Sequence, residues 1–156
     1  MARVKDPFDA LLSMCKKNAI YQKPDGTWTI DSSTNRKRME KLGSSVGGAA
    51  GAKSKEWVPA KLLITADDLR AQWAKQGEVC YWLKIPLDLG LLYKNHPGWY
   101  KKHPGAPSVD RIDDSKDYTP DNIVITSRFA NFGRNVYPFD RMHEFVKTFL
   151  PEDKTV

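Results

Sequence analysis

Cysteine is almost missing from this chain of 156 residues: only Cys15 and Cys80 occur, far apart and in no CxxC pair. That excludes a zinc ribbon or a four-cysteine finger, and it favours two unpaired thiols in a reducing compartment. Long apolar runs are missing too. The longest span only a few residues, as in Val79 to Leu83, whereas a membrane helix needs about 20. The opening Met1-Ala2-Arg3-Val4-Lys5-Asp6 leads into no apolar stretch, so neither a secretory leader nor a membrane partner is expected and the expected location is cytoplasmic. Neither a GxGxxG fingerprint nor a GxxxxGK[ST] phosphate loop occurs. Histidine is scarce, with only His96, His103 and His143.

What is present is an ordinary globular composition, 40% hydrophobic and 28% charged, with a formal charge of +6. The charge is uneven. Residues 1–60 carry eleven Lys/Arg against six Asp/Glu, while residues 61–156 carry fourteen against thirteen. A basic front part points to a polyanion, with nucleic acid first, although a modest excess also serves solubility alone.

The apolar pattern divides the chain into 1–42, 43–56 and 57–156. Phe8, Leu11, Leu12, Cys15 and Ala19 recur at helical spacing behind Asp6-Pro7, which suits a helix start. Lys23-Pro24-Asp25-Gly26 is a turn signal, and Thr27 to Ile30 reads as a short strand. Residues 31–42 are polar and basic, with Arg36, Lys37 and Arg38, and are compatible with a helix. Four glycines within residues 43–51 argue for a linker or mobile loop. Thr65 begins a helix with carboxylates in its first turn, Leu69 and Trp73 on its inner face, and Gly77 as its stop. Val79 to Ile85 reads as strand-like. Residues 86–105 form a basic, aromatic loop that includes Trp99, Tyr100, Lys101, Lys102 and His103. Ser108 to Asp113 reads as a strand, Asp114 to Asp121 as a polar loop, Asn122 to Thr126 as a second strand and Ser127 to Arg134 as a short helix. A final helix is expected from about 138 to 150, with Phe139, Met142, Phe145, Val146 and Phe149 inward. The class is therefore α+β.

The 110–121 loop holds five aspartates in twelve residues. Carboxylates this close suit a hard cation such as Mg²⁺, but they lack the order of a calcium-binding EF-hand, and an Asp-rich turn also solvates itself.

Three pieces together, Ser108-Val109-Asp110-Arg111-Ile112-Asp113, Lys116-Asp117-Tyr118-Thr119-Pro120-Asp121-Asn122-Ile123, and Ala130-Asn131 with Arg134, resemble the phage-type HNH, or His-Me finger, endonucleases. Leu69, Trp73, Gln76-Gly77, Cys80-Tyr81 and Ile85-Pro86-Leu87 are similar to the segment that precedes their catalytic unit. The resemblance covers roughly residues 60–135 and leaves the first sixty unmatched. It implies a small ββα-metal core, with additional helices and a basic N-terminal extension around it. It also implies one Mg²⁺ or Mn²⁺ ion, no zinc, and hydrolysis of DNA, double-stranded by expectation, in a host bacterial cytoplasm.

The resemblance makes Asp110 and Asn131 the metal ligands and Asn122 the support of the active loop. It also has Arg134 face phosphate, while the basic character of the chain adds Arg128, Lys101, Lys102 and the Arg36–Arg38 run as expected nucleic-acid contacts. Arg111 stands where the family carries its general-base histidine. A guanidinium cannot accept a proton from water, so the base is left to Asp113, to His103 or to metal-bound hydroxide, and Arg111 is better suited to steady phosphate charge. Two alternatives to an endonuclease or nickase remain. One is a degenerate member of the fold that binds nucleic acid without cutting it. The other is a phage accessory protein that binds a host factor.

Overall fold

The computed structural model describes residues 6–41, 59–93, 96, 103–134, 140, 141 and 144, with the backbone alone at 38–41. The expected linker at 43–56, Trp99 to Lys102, His143, the side chain of Arg38 and nearly all of the expected final helix lie outside these residues.

Helix α1 spans Pro7–Cys15. Its cap is Asp6, whose carboxylate accepts the Phe8 N–H at 2.8 Å, and Pro7 occupies the first turn, where a missing N–H costs nothing. Strands β1 (Tyr21–Gln22) and β2 (Trp28–Thr29) form a small antiparallel hairpin, with Tyr21 opposite Thr29. Gly26 turns it at φ 83°, and the Asp25 carboxylate accepts both the N–H and the hydroxyl of Thr27. Helix α2 covers Ser33–Lys41.

Helix α3 covers Ala66–Lys75 and starts with a reciprocal cap. The Thr65 hydroxyl accepts the Asp68 N–H while the Asp68 carboxylate accepts the Thr65 N–H. Gly77, at φ 72°, ends it in the left-handed conformation that a side chain disfavours.

The stretch from Val79 to Ile85 is not the strand its apolar run suggests. It is a tight turn, with a single bridge between Val79 and Pro86 and Lys84 at φ 56°. The Cys80 N–H donates to the Ile85 carbonyl and the Lys84 N–H to the Cys80 carbonyl. A short apolar run marks burial, and burial can be met by a turn as well as by a strand. Residues Leu89–Leu92 then form one 3₁₀ turn.

Strands β3 (Pro107–Arg111) and β4 (Ile123–Ser127) pair antiparallel from Pro107 opposite Ser127 to Arg111 opposite Ile123. Helix α4 (Arg128–Arg134) follows directly. The class is mixed α and β, with four helices and two small antiparallel sheets among the described residues.

Because successive strand side chains alternate, the β3–β4 hairpin has two faces, and both are covered. Val109, Ile123 and Ile125 pack with Phe8, Leu11 and Cys15 of α1 and Leu69 and Trp73 of α3. Val124 packs on the other side with Cys80, Trp82 and Ala130. The core therefore runs across the boundary between the expected basic extension and the expected main domain. Backbone bonds do the same: the Ile20 N–H donates to the Ala60 carbonyl and the Leu62 N–H to the Ile20 carbonyl, while Tyr118 pairs with residues 61–63.

The outer edge of β4 is closed by a side chain. The Gln76 amide accepts the Ile125 N–H at 3.0 Å and donates to the carbonyls of Ile125 and Val79, so it takes the place of a neighbouring strand. No described helix is long and apolar enough to cross a membrane.

Candidate functional site

Asp110 lies on the face of β3 that looks toward Trp82 and α4, and it is buried. Both its oxygens are fully engaged. Oδ2 accepts the Trp82 indole N–H at 2.8 Å and the Arg134 Nε–H at 2.7 Å. Oδ1 accepts the Arg111 backbone N–H at 2.8 Å and the Arg134 Nη2–H at 3.1 Å. A carboxylate offers about four lone-pair directions, and four donors take them.

Arg134 is the centre of this arrangement and is only 1% exposed. Its Nη2 lies among three oxygens: Asp110 Oδ1, Asp114 Oδ1 at 3.0 Å, and the Arg111 carbonyl. Its guanidinium also stacks over the Trp82 ring, 4.9 Å from the centroid. Burial works against this charge, but hydrogen bonding and attraction from Asp110, then Asp114, outweigh it and hold the guanidinium pKa above its usual value. For Asp114 partial burial dominates and raises the pKa, with Asp110 adding to it against the pull of Arg134.

The implied cation can be tested against this donor set. A divalent ion held by Asp110 would need at least one free lone pair on it, and each is occupied. Asn131, the other implied ligand, uses its amide nitrogen to tie α4 to β3, donating to Ser108 Oγ at 2.9 Å and the Val109 carbonyl at 3.0 Å. Both bonds run from its nitrogen and not from the Oδ1 a cation would use, so the misfit with Mg²⁺ or Mn²⁺ rests on Asp110, whose four lone-pair directions are taken in this arrangement. A positive group already stands among the oxygens, and it is the guanidinium of Arg134.

The next residue, Arg111, projects to the opposite face of the hairpin, as strand alternation requires. Its guanidinium lies 5.1 Å from the Tyr118 ring centroid, and Nη1 donates to the Lys116 carbonyl at 2.6 Å. Asp110 and Arg111 are adjacent in sequence and serve different surroundings. Asn122 braces the intervening loop: its Oδ1 accepts the Asp113 N–H at 2.9 Å, and its Nδ2 donates to the carbonyls of Asp113 and Asp117.

The other loop aspartates are also in use. Asp113 accepts the hydroxyl and N–H of Ser115 and pairs with Lys116 at 3.1 Å; these donors hold its carboxyl down at about 2. A carboxylate that weakly basic is a poor proton acceptor near neutral pH. Asp117 accepts the Lys61 N–H at 2.8 Å, and Asp121 accepts the Thr119 hydroxyl. His103 is half-buried in the turn before β3, where its Nδ1 accepts the Gly105 N–H at 3.0 Å.

Among the expected phosphate contacts, Arg134 is buried. Arg128 is half-buried at the start of α4, and Arg36 and Lys37 are exposed on α2, with Arg36 also donating to the Ile30 carbonyl. Lys101, Lys102 and the Arg38 side chain lie outside the described residues.

Sequence reasoning did not connect Trp82 to Asp110, 28 positions away. The one available signal is chemical: a buried indole needs an acceptor for its N–H. No family model, curated protein or solved structure matches this chain.

Proposed function

We propose that this chain binds nucleic acid through a strand–loop–strand–helix unit that does not cleave it. The resemblance to HNH endonucleases and the basic front part supply the ligand class. Exposed Arg36, Lys37 and Lys116 offer phosphate contacts. Phe129 and Phe132 on α4, 64% and 71% exposed beside Arg128, offer rings on which bases stack. The observation that carries the non-hydrolytic part is the single nitrogen of Arg134 among oxygens of Asp110, Asp114 and Arg111. A fixed protein cation stands there and leaves Asp110 no lone pair for a metal.

The test pairs a cleavage assay with a stability assay. Supercoiled plasmid incubated with Mg²⁺ or Mn²⁺ should stay uncut, with or without chelator, while gel shift shows it bound. The parent's melting temperature should not respond to millimolar Mg²⁺, whereas Arg134→Ala, which empties the three-oxygen cage, should be stabilised by it. Chelator-sensitive nicking by the parent would overturn the reading in favour of a metal-dependent endonuclease. Absence of any DNA or RNA binding would overturn the ligand class.

A further inference from the structure

A cleft of about 520 Å³ opens on the face of the hairpin away from Arg134. One wall is the 111–118 loop, presenting Arg111, Lys116 and Tyr118; the other is the N-terminal unit, presenting Asn18 and Asn35. That volume lies within the range of small-ligand sites.

The electrostatics of the cleft are unusual. It has two carboxylates in its lining, each with one oxygen held from outside the cleft: Asp114 by the Arg134 cation at 3.0 Å, and Asp117 by the neutral Lys61 N–H at 2.8 Å. Lys116 is paired with Asp113 at 3.1 Å. Arg111 differs, because no carboxylate among the described residues lies within 4.0 Å of its guanidinium. Its position is nevertheless set on two sides, by the Tyr118 ring and by the Lys116 carbonyl. A guanidinium held in place at the edge of an open cleft, with Asp114 of the same lining feeling its charge from beyond 4.0 Å and no described carboxylate in contact with it, keeps donors that an anion can take. Opposite it, Asn35 is anchored by donating to the Lys17 carbonyl, and Asn18 is exposed on the turn after α1, next to Lys17. Amide groups can serve the sugar and base edges that accompany a phosphate.

We propose that the cleft between Asn18 and Asn35 on one side and Arg111 and Tyr118 on the other is a nucleotide site, with Arg111 anchoring the phosphate. This rests on the nucleic-acid reading for the natural source of that phosphate, which is either a free mononucleotide or one unit of a strand. It also assigns the first sixty residues a part of the site, which the resemblance leaves unmatched.

The experiment titrates the full chain with a mononucleotide, AMP, by calorimetry, and with a labelled ten-nucleotide single strand and the corresponding duplex by fluorescence anisotropy. Two variants accompany the parent. Arg111→Gln removes the anchor, and Asn18→Asp places a carboxylate across the cleft without touching Arg111. Urea unfolding checks that both remain folded. Losing one charged hydrogen-bonding partner should weaken binding by about ten- to one-hundred-fold. It should also lower the slope of log K against log salt by about one for the strand. Asn18→Asp should weaken binding in the same direction, even if Arg111→Gln proves unfolded.

If AMP binds with this sensitivity and the strands do not, the cleft stands and the nucleic-acid reading falls. If the strands bind with this sensitivity, both stand. If strands bind and neither variant changes their affinity or slope, the nucleic-acid reading survives and the cleft proposal is overturned. Failure of every probe to bind overturns both.

Discussion

Replacing Arg134 by Met removes one charge from a buried pair and leaves the other in place. Asp110 keeps only the Trp82 indole and the Arg111 N–H, losing the two donors at 2.7 and 3.1 Å. Asp114 loses its partner at 3.0 Å, and the Arg111 carbonyl loses a donor. Methionine fills most of the volume and keeps a thioether against the Trp82 ring, so the loss is mainly electrostatic. Breaking a buried pair on one side costs about 3–5 kcal/mol, because the remaining charge stays desolvated. A domain of this size has about 5–15 kcal/mol in all, so the variant should fold, but marginally. With a urea slope of about 2 kcal/mol per molar, the midpoint should fall by about 1.5–2.5 M. Urea unfolding followed by tryptophan fluorescence measures this. The double variant Arg134→Met with Asp110→Leu removes both charges of the pair and should recover more than half of the loss, leaving the indole N–H, the Arg111 N–H and carbonyl and the unpaired Asp114 as the residual cost. A single-variant loss below about 1 kcal/mol would place this pair in the range of exposed ion pairs and refute the buried-cation argument.

Gln76→Ala should cost about 1–3 kcal/mol, since it removes the side chain that bonds both the N–H and the carbonyl of Ile125 and leaves that carbonyl the Tyr81 N–H. Gln76→Glu should be no better, because a carboxylate would face two carbonyls with no proton to give; parallel urea curves rank the two. Burial pushes the Cys15 thiol up to about 12 from its ordinary 9.0. The folded state therefore resists ionisation, and stability that is complete below pH 9 should be lost as the pH climbs toward 12. Both thiols are buried, so a thiol reagent at neutral pH should label them only as fast as the protein opens, and immediate labelling would contradict the packing of α1. The Asp113 carboxyl, held at about 2 by Ser115 and then Lys116, should contribute stability above about pH 4 that disappears as the pH falls toward 2. Asp113→Asn should remove that part of the acid transition in a pH titration of the melting temperature.

Local chemistry was legible in the amino-acid order. The caps at Asp6 and Thr65, the turn at Asp25-Gly26 and the stop at Gly77 each depend on residues within a few positions of one another, so short-range steric and hydrogen-bonding rules specify them. The strand, loop, strand and helix from Ser108 to Arg134 were legible from short apolar runs and turn residues, and the resemblance made Asn122 the support of the loop, where it accepts the Asp113 N–H nine positions back. Partnership across the chain was not legible. A basic front part with a glycine-rich stretch behind it reads as an extension apart from the main domain, yet Phe8, Leu11 and Cys15 share a core with Val109 and Ile125. Aspartate and arginine side by side read as one site, yet the pleat sends them to opposite faces. Arg134, 24 positions after Asp110, is a phosphate contact by the resemblance alone. Only the fold brings Trp82, Asp110 and Asp114 around it, and there the low dielectric makes an internal pair the way to keep each of those charges satisfied.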